Sequence, residues 1–208
     1  RLVKTLIDGK MNPGYNEKSN RKELEVYNEK GWEYFYRNFF RIRKELKLPS
    51  HYYSRFAVLL AGVLNIEVPK TRNQRYDLLQ RNLVNFDLIP YHSRKFKLSP
   101  NIIENENKLK LLKPFIDATK DLIMKSKITY LFIQGKIWEG ILNQQILKNK
   151  SDKLFEVNPG KRVICTGHLG TCLDKKFIWF DKFITSPIGI SNKDLYEAGK
   201  KIRKYFLS

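Results

Sequence analysis

Short apolar runs and helical stripes alternate along the first third of the chain. Residues 2–7 form an apolar run, which predicts a buried strand followed by the turn-forming sequence Asn-Pro-Gly-Tyr at residues 12–15. Residues 21–48 then carry apolar side chains at three- and four-residue spacing. That spacing predicts a long helix with one apolar stripe, and Gly31 predicts a break or bend within it.

The rest of the pattern predicts further helices and strands in turn. Ser50 is placed to cap a helix from His51 to Leu64, and Asn192 to cap a final amphipathic helix that ends at Leu207. Between these two helices the pattern predicts, in order, a short basic helix at residues 71–82, a strand at 83–91, a helix at about 114–125, a fully buried strand at 128–135, a helix at 136–149, and strands at 161–169 and 175–187.

Strands that alternate with helices favour an α/β fold with a mostly parallel sheet covered on both faces. No repeat, linker or low-complexity block interrupts the chain, so residues 1–208 are predicted to form a single domain. In such sheets ligands bind beyond the carboxyl ends of the strands. Four stretches qualify by this rule: residues 12–15, Asn85 with residues 90–92, Gly135, and residues 185–190.

The net charge of the chain indicates which class of molecule it binds. Forty Lys and Arg residues stand against 21 Asp and Glu residues, for a formal net charge of +19 and a pI near 9.9. A field of this sign attracts polyanions, of which nucleic acid is the commonest, and aromatic residues at 13% add groups that can stack on bases. Two alternatives stay open: a basic composition that reflects AT-rich coding, and a role at a membrane surface or on the ribosome.

The composition predicts a globular protein inside the cell. Apolar residues make up 42% of the chain, and the longest apolar runs, such as residues 56–64, are about half as long as a membrane span. Two cysteines form no disulfide framework, and no signal peptide is visible. We therefore expect a cytoplasmic monomer, associated with the nucleoid if the protein is bacterial, that binds DNA, duplex or single-stranded, and no membrane.

The predicted strand at residues 83–91 contains two polar residues, Asn85 and Asp87, among apolar ones. A buried strand carries such groups when they are hydrogen-bonded or face a ligand. Two interpretations remain equally open: a ligand-facing pair, or one residue that caps a neighbouring helix.

Cys165, His168 and Cys172 lie within eight residues, which raises the question of a metal site. The spacing matches no common zinc finger, and a fourth ligand would have to be His92 or His51. We therefore expect no metal and no cofactor. His168, flanked by glycines at a predicted strand end, is instead a candidate acid–base or hydrogen-bonding group, or a structural loop histidine.

Together these positions resemble the uracil-DNA glycosylase superfamily. The sequence "MNPGY" (residues 11–15) is similar to the first motif of that family, "LVNFDLIP" (residues 83–90) to its base-reading strand, and "ITSPIGIS" (residues 184–191) to its second motif. The match runs through nearly the whole chain in order. Lys10 stands where the first motif often has glycine, and Ile184 where the second motif has histidine.

The resemblance implies a three-layer α/β/α sandwich around a central, mostly parallel sheet of about four or five strands. It implies a DNA glycosylase that flips a base, modified or not, out of DNA and hydrolyses its N-glycosidic bond, as in DNA repair. Asn12 would orient the water, and His168 would take part in catalysis. The resemblance further assigns base-binding roles to Pro13, Tyr15 and Asn85, and DNA-binding roles to Lys10, Ser186, Pro187 and Ile188.

Two other functions compete with the glycosylase. One is a nucleic-acid-binding module on the same fold that does not cleave. The other is a nuclease or nucleotide hydrolase, which the sparse clustering of carboxylates disfavours. The chain contains neither a P-loop nor a dinucleotide-binding fingerprint, and neither a zincin motif nor a nucleophile elbow, which disfavours nucleotide-dependent enzymes and the common hydrolases.

Overall fold

Helices make up most of the residues that the structure, a computed structural model, describes. The described residues are 19–48, 50–83, 113, 117, 120, 121, 123–125, 127, 129–134, 149–157, 165–172, 175–180 and 190–207. The elements with full bounds are α1 (Ser19–Arg37), α2 (Phe39–Glu45), α3 (His51–Leu64), α4 (Arg72–Asn82), β1 (Tyr130–Gln134), β2 (Asn149–Val157), β3 (Cys165–Cys172), β4 (Lys175–Phe180) and α5 (Asn192–Leu207). Further helical residues lie between positions 113 and 125.

The chain divides into two compact units. The first unit comprises Arg1–Pro49 and Tyr76–Thr119, and the second comprises Ser50–Arg75 and Lys120–Ser208, so the division falls within α4. The single domain spanning residues 1–208 stays a prediction.

The core of the first unit is aromatic. Helix α1 bends where the sequence predicts, because Gly31 adopts φ of +81°, a conformation that side-chain-bearing residues rarely take. Beyond the bend, the ring of Phe39 packs edge-to-face on those of Phe35 and Phe40, at centroid distances of 5.7 and 5.2 Å. Tyr76 of α4 packs against Phe40 in the same way at 6.4 Å. These aromatics are buried, and Phe35 and Phe39 belong to the apolar stripe that the sequence predicts.

Polar side chains tie the helices of the first unit together. The carboxylate of Glu23, which is 2% exposed, pairs with the guanidinium of Arg43 at 2.5 Å. At the junction of α1 and α2, the Gln80 side chain accepts a hydrogen bond from Arg41 N at 2.8 Å and donates one to Arg37 O at 3.1 Å. One amide thereby satisfies a donor of one helix and an acceptor of the other.

The second unit contains a small mixed sheet with the strand order β1-β4-β3-β2. Strands β1 and β4 are parallel, whereas β4–β3 and β3–β2 are antiparallel. The predicted α/β/α sandwich with a central, mostly parallel sheet is therefore wrong. Only two residues separate β3 from β4 in the chain, and a connection that short allows antiparallel pairing alone.

Strand β2 was missed, since its sequence "NKSDKLFEV" is too polar to stand out as a strand. Strand β1 lies where the sequence predicts, but its described side chains from Tyr130 to Ile133 are half-buried, so the prediction of full burial is wrong. Phe132 of β1 packs against Phe56 of α3 at 5.6 Å and against Phe206 of α5 at 5.7 Å. Both helices therefore contact the same strand.

Helices α3 and α5 approach each other at two glycines. A Cβ added to Gly62 would overlap the backbone of Tyr196, and one added to Gly199 would overlap the backbone of Leu59. Both positions therefore have room only for hydrogen. The approach brings buried side chains on both helices, such as Leu59 and Leu195, into one core.

Gly62→Ala is expected to destabilise the protein by about 1–3 kcal/mol, because the added methyl group meets backbone, which cannot move aside as a side chain can. The thermal unfolding midpoint, followed by circular dichroism, measures the loss. Asn73→Ala, at an exposed position of α4, is the control and should leave the midpoint nearly unchanged. Equal midpoints for Gly62→Ala and the control would contradict the close approach.

Candidate nucleic-acid interface

A reciprocal capping arrangement starts helix α5. Asp194 N donates to Ser191 Oγ at 3.1 Å, and Ser191 N donates to Asp194 Oδ2 at 3.1 Å. Ser191 is therefore the N-cap, and the prediction of Asn192 was wrong by one residue. The error arises because both residue types cap helices, and only Ser191 has the acidic partner three positions later.

The inner face of α5 is apolar and faces α3. Its buried residues are Leu195, Ala198, Gly199, Ile202 and Phe206. Two arginines fasten the pair at its ends: Arg203 donates to Val63 O at 3.2 Å, and Arg55 donates to Ile190 O just before α5 begins. Burial of the Arg55 guanidinium lowers its pKa. The buried apolar face and the two arginine hydrogen bonds together fix the orientation of α5 about its own axis.

The outer face of α5 carries four exposed lysines, Lys193, Lys200, Lys201 and Lys204, which we call the lysine face. Their spacing keeps them on one side of an α-helix, together with Glu197. From Lys193 to Lys204 the helix rises by about 17 Å. The lysine face is therefore a line of positive charge along most of α5.

Neutralisation of the lysine face is slight. Lys200 Nζ lies 3.4 Å from Glu197 Oε1, but the two side chains are 45% and 52% exposed, so water screens the pair. The same ammonium group lies 5.7 Å from the ring centre of Tyr196. The charge of Lys193 interacts with that of the neighbouring Asp194. Among the residues that the structure describes, no carboxylate lies within ion-pair distance of Lys201 or Lys204.

A further cation lies at the C-terminal end of α5. Lys176 of β4 donates to Phe206 O at 3.2 Å, and the Tyr130 hydroxyl lies 3.4 Å from the same oxygen. The rings of Tyr130 and Phe206 stack at 4.0 Å with an interplanar angle of 6°. A cation at this end of a helix complements the helix dipole, so Lys176 both stabilises α5 and adds exposed positive charge beside it.

Of the residues that the resemblance singled out, the structure describes His168 alone. The sequence predicted His168 at the end of a strand, but it lies within β3. Its ring stacks on that of Trp179 in β4 at a centroid distance of 4.9 Å. Trp179 is 3% exposed, so the stack belongs in part to the core. The remaining predicted site residues lie outside the described residues: Lys10, Asn12, Pro13, Tyr15, Asn85, Ser186, Pro187 and Ile188.

Cys165 and Cys172 lie at the two ends of β3, seven residues apart in an extended strand, which separates them by roughly 23 Å. They cannot bind one metal ion together with His168. Within the described residues, no group of three or more His, Cys, Asp or Glu side chains is arranged to hold a metal ion.

The lysine face is visible in the sequence, although none of the motifs considered above includes it. The helix was predicted nearly in full, and its charged positions 193, 200, 201 and 204 could have been placed on one face by the helical period. The predicted site residues are instead polar residues beside prolines in predicted loops, because a parallel sheet would bring such loops together at one edge.

No helix among the described residues has both the length and the apolar character needed to cross a membrane. No protein-family model matches the sequence, and neither a curated protein nor a solved structure matches it significantly.

The cap of α5 predicts a pH dependence. Hydrogen bonds from the Ser191 side chain and backbone lower the pKa of Asp194 below its ordinary value of 3.8. The stabilisation is therefore fully present above pH 3.8 and is lost as the pH falls through the lower pKa of the folded state. Unfolding midpoints between pH 5 and pH 2 should fall less steeply in Asp194→Asn than in the wild type. Parallel curves would contradict this role.

Proposed function

We propose that this protein binds nucleic acid through the lysine face of α5. The observation that carries the proposal is a line of four exposed lysines with one acidic residue among them, in a chain whose formal net charge is +19. Ammonium groups held in this way attract phosphates over a long range and bind them at short range.

The packing of α5 disfavours a membrane surface as the partner. A basic helix that lies on a membrane inserts its apolar face between the lipids. The apolar face of α5, including Leu195 and Ile202, is buried, and Gly199 holds the helix against α3. The side of α5 that faces away from α3 carries the four lysines and Glu197, which favours a polyanion with a dense line of phosphates.

Glu197, the acidic residue on the lysine face, indicates that affinity for a polyanion depends on the net charge of this face. Glu197 lies between Lys193 and Lys200 in the sequence and on the same side of the helix. Its carboxylate repels a bound phosphate while it weakly pairs with Lys200. Affinity should therefore follow the net charge of this face rather than any single lysine.

A triple variant, Lys193→Gln, Lys201→Gln and Lys204→Gln, should weaken binding to a labelled DNA duplex in a fluorescence anisotropy titration. Each lost phosphate contact reduces the slope of log affinity against log salt by about 0.9, so loss of all three contacts would reduce it by about 3. The lysines are exposed, so the fold should persist, which circular dichroism checks.

The matched control removes three exposed lysines elsewhere: Lys22→Gln, Lys30→Gln and Lys70→Gln. It has the same net charge as the triple variant, so it reports the general effect of charge alone. The proposal requires the α5 variant to lose clearly more affinity and more slope than this control. Equal losses would contradict an interface on α5, and affinity independent of salt would contradict nucleic-acid binding altogether.

Hydrolysis of an N-glycosidic bond stays a separate prediction, with Asn12 as its central residue. The sandwich that the resemblance implied is wrong, so binding takes precedence over cleavage here. Duplexes that carry different modified bases, incubated with the protein and then treated with alkali, should break at the modified base if cleavage occurs. Breaks that disappear in Asn12→Ala would support a glycosylase. Salt-sensitive binding without breaks on any tested base would favour a module that does not cleave.

A further inference from the structure

We propose that the lysine face recognises the phosphate backbone of a duplex, without reading base sequence and in preference to single strands. This inference rests on the proposed function and adds the class of nucleic acid and the mode of contact. It follows from the rigidity of α5 and from the side chains that its outer face contains and lacks.

Helix α5 is held along its length before any partner binds. Its N-terminus is closed by the Ser191–Asp194 cap, and its middle is pressed against α3 at Gly199. Its C-terminal turn is fixed where Phe206 stacks on Tyr130 and accepts a hydrogen bond from Lys176. The backbone positions of the lysines are therefore set in advance, and binding orders only their side chains.

A fixed line of charge suits a fixed line of phosphates. The lysine face, about 17 Å long, runs beside about five base-pair steps of a duplex, in which phosphates on each strand recur every 3.4 Å along the axis. In a duplex these phosphates are already in place. In a single strand the phosphates must be ordered on binding, which costs conformational entropy. The lysines form no additional contact with a single strand that would offset this cost.

The outer face offers no platform for unstacked bases. Proteins that bind single strands combine a basic groove with exposed aromatic rings or arginine planes. On α5, Tyr196 and Tyr205 are half-buried, and the Lys200 ammonium lies over the Tyr196 ring. Arg203 is hydrogen-bonded to Val63 O. The contacts that the lysine face can form with a nucleic acid are therefore those of lysine ammonium groups with phosphates.

The same composition argues against sequence recognition. Direct readout of bases relies mainly on side chains that form paired hydrogen bonds, such as Arg with guanine and Asn or Gln with adenine. The residues of the outer face are Lys193, Glu197, Lys200, Lys201 and Lys204, and none is of these types. Phosphate contacts position a protein on a duplex and carry no sequence information directly.

Competition titrations test the inference with four labelled 20-mers at one salt concentration: two DNA duplexes of unrelated sequence, one of their single strands, and a duplex RNA. We expect the two DNA duplexes to bind within about twofold of each other, and the single strand to bind at least about fivefold more weakly, a difference near 1 kcal/mol. Duplex RNA bound as tightly as duplex DNA would also support the inference, because both present ordered phosphates.

Two variants connect the result to the lysine face. The triple variant, Lys193→Gln, Lys201→Gln and Lys204→Gln, should bring duplex and single-strand affinities closer together. The control, Lys22→Gln, Lys30→Gln and Lys70→Gln, should keep them apart. Glu197→Gln should strengthen duplex binding about two- to threefold, since it removes the one negative charge from the face.

Two failures are distinguishable. If the wild type binds the single strand as tightly as the duplexes, or prefers one duplex sequence tenfold, while the triple variant still loses more affinity than its control, the duplex inference is overturned and the proposed function stands. If the triple variant and the control bind every probe alike, the interface is not on α5, and the proposed function fails with the inference.

Discussion

The packing of the second unit depends on the close contact between the backbones of helices α3 and α5. Gly62 and Gly199 allow α3 and α5 to approach until each glycine touches the main chain of the other helix. The contact has no tolerance for a side chain, so it fixes which side of α5 is inside. The opposite side of α5 consequently faces solvent, and this is where the four exposed lysines lie.

Positive charge is distributed differently over the elements of this protein. In the first unit, three cations lie beside carboxylates: Arg37 pairs with Glu33, Lys44 with Asp77, and Arg43 with the buried Glu23. Such pairs reduce the field that reaches a distant partner. On α5 the one carboxylate on the outer face engages a single lysine, so most of the charge remains available. Local ion pairs, as well as the total of +19, therefore shape the electrostatic field around the described residues.

Helices were predictable from the sequence because their signals are local. Ser50 caps α3, which runs from His51 to Leu64 as predicted, and its side chain accepts a hydrogen bond from Tyr53 N. The bend at Gly31 was equally visible, since a glycine inside a helical stripe marks a point where the backbone can leave the helix.

The sheet was not predictable in the same way, because strand pairing is decided by distant residues. Strand β2 has a polar sequence and is recognisable only once its pairing with β3 is known. The parallel arrangement was inferred from the order of elements alone, and the short β3–β4 connection excludes it for that pair. The expected site depended on that sheet, because only a parallel arrangement would bring its loops to one edge. The lysine face needed only the helical period.

The contact between α3 and α5 also has a consequence for biosynthesis. Val63 and Arg203, which join the two helices, are 140 residues apart in the chain. At ribosomal speeds, roughly 7 to 28 seconds pass between the synthesis of one and the other. During that interval the apolar face of α3, from Phe56 to Val63, has been made without the helix that covers it. The apolar face of α3 therefore gains its cover from α5 only after most of the second unit has been synthesised.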